Sequence, residues 1–159
     1  GLGERAGNAP TEDVAMALLT MYDIDIGLNY DKLYPLSKLV QEIAGVEVPS
    51  NRSVVGDQLF QVESGIIANW FKNCGLEHQT ELFPFRPEFV GQETADVVIG
   101  KGSGMDTVNI WLERLQIQAS EEQAMAILAA VKASGLKKKD LLTVDEFKTI
   151  ANDTIAEVA

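Results

Sequence analysis

The segment that opens the chain, Gly1-Leu-Gly-Glu-Arg-Ala-Gly-Asn-Ala9, combines residue types that can do chemistry. Its three glycines free the backbone, and a predicted helix follows it, so its N–H groups could face an anion. The Arg5 guanidinium could orient a carboxylate, that of a ligand or that of Glu4, through paired hydrogen bonds. Alternatively, Glu4 and Arg5 form an ion pair that only shapes the loop. Because such a loop is seldom found at a natural N-terminus, we predict that the chain is a fragment cut just upstream of it.

A second glycine-rich segment, Gly100-Lys-Gly-Ser-Gly104, has part of a phosphate-binding pattern. The nucleotide-binding form of that pattern needs a glycine five residues before its Gly-Lys pair, and Ala95 occupies this place. Two interpretations stay open. The segment is either a flexible turn that leads into a helix or a helix N-terminus that binds some anion.

Other residues that could bind metals are interpreted as structural. Asp23 and Asp25 resemble the start of a calcium loop, but Leu28 stands where the loop needs glycine and Tyr34 where it needs an acidic residue. The single histidine, His78, is predicted to lie on the surface.

Cysteine and aromatic side chains are predicted to belong to the core rather than to a binding surface. Cys74 follows an apolar helix and is expected in or near the core. The same expectation holds for Trp70, Phe71 and Trp111.

Composition excludes several classes of protein. The chain has 159 residues, with 13 Lys and Arg against 24 Asp and Glu, and a net charge of −11. This charge argues against binding to nucleic acid or to an anionic membrane. One cysteine excludes an internal disulfide, and no apolar run approaches the roughly 20 residues that span a bilayer. We therefore expect a globular chain of about the size of one domain, located in the cytoplasm.

The elements that must position these residues are mostly helices. Four are predicted from capping signals and apolar periodicity, two more are weaker, and Val97-Val98-Ile99 is the one convincing strand fragment. The Lys137-Lys138-Lys139 run is expected to be a solvated turn between helices. The first predicted helix has Thr11 as its N-cap, and the second has Asp31 as its N-cap and ends at Gly45. The two weaker helices lie within 57–73 and at 106–115. The last two have Ser120 and Thr143 as their N-caps; the former ends at Gly135, and the latter runs close to the C-terminus.

Three stretches resemble the isopropylmalate, homocitrate and citramalate synthases, which share a superfamily with 3-hydroxy-3-methylglutaryl-CoA lyase. The first is GERAGNA at 3–9, which is similar to the loop after the last barrel strand of these enzymes. The second is VESGI at 62–66, preceded by Val55-Gly56 and Phe60. The third combines FRPEFVG at 85–91 with VIGKGSG at 98–104. Their order and spacing match, so the resemblance covers about residues 1–131.

The resemblance implies a mainly α chain with little β, the C-terminal fragment of a TIM-barrel enzyme. Residues 1–30 would be the end of a (β/α)8 barrel, with the metal-site loop and the last barrel helix. Residues 31–159 would form a helical subdomain. The parent would be a cytoplasmic homodimer that acts on acyl-CoA and 2-oxo acid substrates, with no nucleic acid or membrane partner.

In the family, an Asp, a His-x-His pair and the loop Asn hold a divalent metal. The matching residue here is Asn8, an oxygen ligand suited to Mg or Mn and tolerable for Zn. The resemblance implies that the other ligands lie outside this chain. We take Glu4 and Arg5 as candidate catalytic residues, and we expect the fragment alone to bind no cofactor and to be inactive.

Four positions depart from the family pattern. Histidines of the family are replaced by Val62, Ile67 and Gly102, and a tyrosine by Leu82. Isoleucine cannot move a proton, so the parent either runs a different reaction or uses another acid–base group. Both a Claisen condensation and a retro-aldol cleavage stay open.

A different class of function is also open. The chain could be a stand-alone helical dimerisation or interaction module without catalytic activity. A regulatory effector domain is disfavoured, because that domain of the family is richer in strands.

Overall fold

The fold is mainly helical, as predicted, in a computed structural model that describes residues 1–158. Two short strands and three 3-10 helices accompany the α-helices, and none of the helices in residues 1–158 is long and apolar enough to cross a membrane. The elements are α1 Thr11–Tyr22, 3-10 Tyr30–Lys32, α2 Leu33–Ala44, β1 Gln61–Val62, α3 Gly65–Cys74, 3-10 Leu76–Glu81, 3-10 Pro87–Val90, β2 Asp96–Val97, α4 Met105–Arg114, α5 Glu121–Lys138 and α6 Val144–Glu157.

The chain divides into two compact units. Unit 1 contains Gly1–Phe60 and Phe83–Thr94, and unit 2 contains Gln61–Leu82 and the chain from Ala95 onward. The predicted division into residues 1–30, as the end of a barrel, and residues 31–159, as a helical subdomain, stays a prediction.

Two helix starts confirm their predicted capping boxes. The Ser120 hydroxyl accepts from the Gln123 N–H at 3.2 Å, and the Gln123 side chain accepts from the Ser120 N–H at 2.9 Å. At α6 the Thr143 hydroxyl accepts from the Glu146 N–H at 3.2 Å, and Glu146 Oε2 accepts in return at 2.7 Å. Both starts were predictable because all four groups lie within four residues of sequence.

The N-caps predicted for α1 and α2 are wrong. Pro10, with extended ψ, is the N-cap of α1, so Thr11 is already helical. Asp31 lies in a 3-10 turn, and α2 begins only at Leu33. This start places Pro35 in the first helical turn, where a missing N–H costs no hydrogen bond.

The predicted end of α5 at Gly135 is also wrong. The helix continues to Lys138 and ends at Lys139, which has φ 61°. A Cβ on Gly135 would lie 2.7 Å from the Lys101 nitrogen, so this glycine permits a close approach of two backbones rather than a helix end. Lys137 and Lys138 occupy the last turn, where positive charge suits the helix dipole, and not a turn between helices.

The helix expected within 57–73 starts later than predicted. Residues 61–62 form β1, which pairs in parallel with β2 in the register Gln61 with Asp96 and Val62 with Val97. The predicted strand at 97–99 is thereby shifted to Asp96–Val97. Gly65 is the first residue of α3 and packs closely on Gly104, since an added Cβ would lie 2.9 Å from the Gly104 Cα.

Unit 2 is built around Trp111 and Phe147, whose rings meet edge to face at 5.3 Å. The Trp111 indole N–H donates to the Val97 carbonyl at 3.0 Å and ties α4 to β2. Trp111 and Phe71 are buried, as predicted. Trp70 is 47% exposed, so its predicted place in the core is wrong, because α3 turns this side chain away from the face that buries Ala68 and Phe71.

Unit 1 has a smaller core. Phe60 meets the rings of Phe83 and Phe85 edge to face, and Tyr30 stacks on Phe89 at 5.3 Å. Helix α1 buries Ala15 and Met16. The exposed apolar side chains of α1 and α2 are Val14, Met21, Tyr22, Leu36, Leu39 and Ile43.

Candidate functional site

The opening loop is a tight turn that depends on its glycines. The Gly7 N–H donates to the Glu4 carbonyl at 3.0 Å, and Gly7 has φ 77°. A Cβ there would lie 2.0 Å from the Gly1 oxygen, so no other residue fits without rearrangement. Arg5 has φ 55°, an uncommon conformation for a residue with a side chain. The loop therefore has one defined shape directly before α1.

Asn8 is fixed by a single carbonyl. Its backbone N–H and its side-chain nitrogen both donate to the Leu2 oxygen, at 3.2 and 3.0 Å. Since the amide nitrogen is used in this way, the side-chain oxygen Oδ1 is the atom that is left to accept. Asn8 is exposed.

Glu4 and Arg5 are both exposed. Within residues 1–158 they do not form an ion pair with one another. The carboxylate and the guanidinium are thus both accessible from solvent.

Two of the motifs that the sequence singles out lie side by side in unit 2. Parallel pairing brings the carboxyl ends of β1 and β2 to one edge, where Glu63 follows β1 and the turn Gly100–Gly104 follows β2. Glu63 Oε1 accepts from the Gly102 N–H at 2.7 Å, and the Glu63 carbonyl accepts from the Thr107 hydroxyl at 2.9 Å. The first turns of α3 and α4 start from this junction.

The glycine-rich turn leads into α4, as one of the two interpretations expects. Its Ser103 hydroxyl is buried and accepts from the Gly100 N–H at 2.9 Å. Because Glu63 already bonds the Gly102 N–H, an external anion at this amide would have to displace a carboxylate of the protein itself.

The four positions that depart from the family pattern occupy different environments. Val62 is buried, Leu82 is half-buried, and Gly102 is exposed. Ile67 is 38% exposed on α3, where Ile66 and Trp70 are exposed as well. None of the four departing positions carries a side chain that can transfer a proton.

Among residues 1–158, no group of three His, Cys, Asp or Glu side chains could hold a metal ion. His78 is exposed, as predicted, and Cys74 is half-buried near the end of α3. Metal ligation by Asn8 stays a prediction.

A cluster that the sequence did not indicate ties α2 to the following loop. Asp57 accepts from the Tyr34 hydroxyl at 3.0 Å and from the Lys38 ammonium at 2.7 Å. The hydrogen bond from Lys38 lowers the pKa of Asp57, against an opposing effect of burial. Burial and the bond to Asp57 raise the pKa of Tyr34. The partners lie 19 and 23 residues apart, a separation at which no local pattern pairs them.

A similar tie holds α1. The Arg52 guanidinium meets the Asp13 carboxylate at 2.6 Å, and the Ser53 hydroxyl donates to the same carboxylate at 2.7 Å. In both clusters every charged group has a partner within the cluster.

Comparison with known proteins shows strong similarity over both compact units. The chain is 39% identical over 153 residues to homocitrate synthase 1 of a Nostoc species, which covers 96% of this chain and 39% of that enzyme. Two proteins of Methanopyrus kandleri, named as a probable 2-isopropylmalate synthase and as an (R)-citramalate synthase, are 40% and 36% identical. These two matches cover 99% and 100% of this chain and 30% of each relative. No protein-family model matches. The chain spans about a third of the length of these relatives.

Proposed function

We propose, since the chain belongs to the superfamily of homocitrate, citramalate and isopropylmalate synthases, that it is part of an acyltransferase that joins an acyl-CoA to a 2-oxo acid. The observation that carries the proposal is identity of 36–40% across both compact units to synthases of three kinds. Because these relatives are synthases, condensation is favoured over retro-aldol cleavage.

The reaction would form one carbon–carbon bond. Loss of a proton from the acyl group gives an enolate, which attacks the carbonyl carbon of the 2-oxo acid, and the carbonyl oxygen is then protonated. Water cleaves the thioester and releases free CoA. A positioned acid–base group and a group that binds the 2-oxo carboxylate are the minimum that this chemistry requires.

The opening loop would supply some of these groups. Arg5 is an exposed guanidinium that can bind a carboxylate through two hydrogen bonds, and Glu4 is an exposed carboxylate that can transfer a proton. We assign them as the candidate catalytic residues of the loop.

Asn8 would contribute an oxygen ligand to a divalent metal, Mg, Mn or Zn, in the parent enzyme. When bound, such a metal polarises the carbonyl of the 2-oxo acid. The oriented amide fits this role, because its nitrogen donates to the Leu2 carbonyl and the residue is exposed. One neutral oxygen does not hold a metal alone, so the isolated chain would be inactive.

The test is an assay of the longer parent protein for release of CoA thiol from acetyl-CoA with a panel of 2-oxo acids. We expect release that needs both substrates and a divalent metal, with one chain length of 2-oxo acid preferred. Absence of release with every 2-oxo acid of the panel would refute the proposal.

A second candidate function is that of a helical dimerisation module without catalysis, in a cytoplasmic protein. The observation that favours it is exposed apolar surface on unit 1, where Met21 is 74% and Ile43 is 77% exposed. The proposed enzyme would be a homodimer as well. Sedimentation velocity of the isolated chain therefore tests the dimer that both candidate functions require, but it does not distinguish the two functions. A single monomer at tens of micromolar, with no binding of a dye for apolar surface, would contradict both assemblies.

A further inference from the structure

We propose that Glu63 is a positioning residue, whose carboxylate fastens the start of α3 to the turn before α4. The proposal concerns the folding of unit 2 and does not depend on the proposed acyltransferase activity.

Glu63 makes two contacts, one through its carboxylate and one through its backbone carbonyl. Its carboxylate accepts from the Gly102 N–H at 2.7 Å, and its carbonyl accepts from the Thr107 hydroxyl at 2.9 Å. Thr107 is fully buried in α4. One residue therefore connects the end of β1 with both the glycine-rich turn and the first turn of α4. A hydrogen bond from a backbone N–H to a carboxylate is stronger than one between neutral groups.

Glycines make the space for this carboxylate. A Cβ on Gly102 would lie 2.8 Å from Glu63 Oε2, and a Cβ on Gly100 would lie 2.7 Å from Oε1. All three of the closest atoms to a Cβ at Gly102 belong to the Glu63 side chain. Gly102 has no left-handed φ that would explain a glycine, so the carboxylate is the feature that its missing side chain accommodates.

What Glu63 positions is the exposed face of α3, which carries Ile66, Ile67 and Trp70. The other end of α3 is tied to α4 by the ion pair of Lys72 with Glu113. That pair is exposed and therefore contributes little. Glu63 lies two residues before Gly65, the first residue of α3, so its contacts hold the chain at the entry to this helix.

The experiment follows the amide proton of Gly102 by NMR in the 159-residue chain and in Glu63→Ala. We expect the Gly102 resonance to move toward the position of an unstructured glycine in Glu63→Ala and the melting temperature to fall by about 5 °C. Glu93→Ala is the matched control, since Glu93 is exposed and makes no hydrogen bond or ion pair within residues 1–158. Formate should return the resonance in Glu63→Ala, whereas chloride at equal ionic strength should not. An unmoved resonance, or an equal effect of formate on the unsubstituted chain, would overturn the proposal.

A second pair of variants keeps the test decisive if Glu63→Ala does not fold. Glu63→Gln retains an acceptor oxygen, so its Gly102 resonance should stay near the native position; a resonance at the unstructured position would refute the contact. Gly102→Ala should displace the carboxylate and lower the melting temperature. Where Glu63→Ala folds, the double variant should lose no more than the larger single loss, because both changes break one contact. Additive losses would contradict the proposal.

Discussion

Asn8 illustrates what a single residue type can and cannot reveal. The resemblance of the loop to a family motif selects Asn8 as a metal ligand, but it says nothing about which atom is free. The structure shows the amide nitrogen bonded to the Leu2 carbonyl, an interaction over six residues that follows from the left-handed backbone at Arg5 and Gly7. Sequence therefore predicts the candidate, and the loop conformation determines its orientation.

At this scale we predict that Asn8→Ala in the parent enzyme lowers activity about tenfold or more, because the metal loses a ligand oxygen. Raising the metal concentration should recover part of the loss. Asn152→Ala, on the exposed side of α6, is the matched control and should leave the activity unchanged. Equal activity of Asn8→Ala and the control at limiting metal would show that Asn8 is not a ligand.

Ile67 gives the opposite prediction. Its side chain is aliphatic and 38% exposed, so Ile67→Ala removes no proton-transfer group but does remove partly buried methyl groups. We expect kcat within about twofold of the unsubstituted parent, with a loss of stability of about 1 kcal/mol. Loss of turnover in a variant that circular dichroism shows to be folded would mean that this position keeps a catalytic role.

Asp57 supplies a prediction for pH. Its pKa is lowered by the hydrogen bond from Lys38, so the stability it contributes is present above its unfolded pKa, about 3.9, and is lost as pH falls through the folded value. Asp57→Asn should cost about 0.2–1 kcal/mol at pH 7, the size of an exposed ion pair. Urea unfolding should show this difference shrinking below about pH 4. A difference that stays constant down to pH 2 would contradict the assignment.

At the scale of elements, the capping boxes were predictable from the sequence, whereas features that depend on contacts between distant residues were not. The capping boxes of α5 and α6 involve residues three apart, and both were predictable. The start of α3 at Gly65 depends on Gly104, and β1 depends on its pairing with β2, 35 residues further along the chain. The sequence predicts Gly135 as a helix end, but its missing side chain instead allows the Lys101 backbone to come close. Contacts at such sequence separations leave no periodic pattern.

The same difference predicts which helix starts are sensitive to mutation. Ser120→Ala should lower the free energy of unfolding by about 0.5–2 kcal/mol, because the Gln123 N–H loses its acceptor. Ser64→Ala is the matched control, since Ser64 is the N-cap of α3 but its side chain makes no capping hydrogen bond. Chemical denaturation of both variants checks this. A loss for Ser64→Ala as large as that for Ser120→Ala would contradict the assigned caps.

At the scale of the whole molecule, the sequence predicted the fold class and the family, whereas the contacts between the motifs could be seen only in the structure. The mainly helical fold followed from capped periodic segments, and the similarity to synthases covers both units. The pairing of Glu63 with the glycine-rich turn was not predictable, because each motif alone has a structural interpretation. On these grounds we propose that this chain is one part of a metal-dependent synthase and does not complete the metal site by itself.

Titration calorimetry of the isolated chain and of the longer parent with Mg, Mn and Zn tests this claim most directly. We expect the isolated chain to give flat or weak heats, because Asn8 alone is far short of a coordination sphere. The parent should bind a divalent metal at one site, and Asn8→Ala should weaken that binding. A stoichiometric micromolar site in the isolated chain, or no metal binding by the parent, would contradict the account.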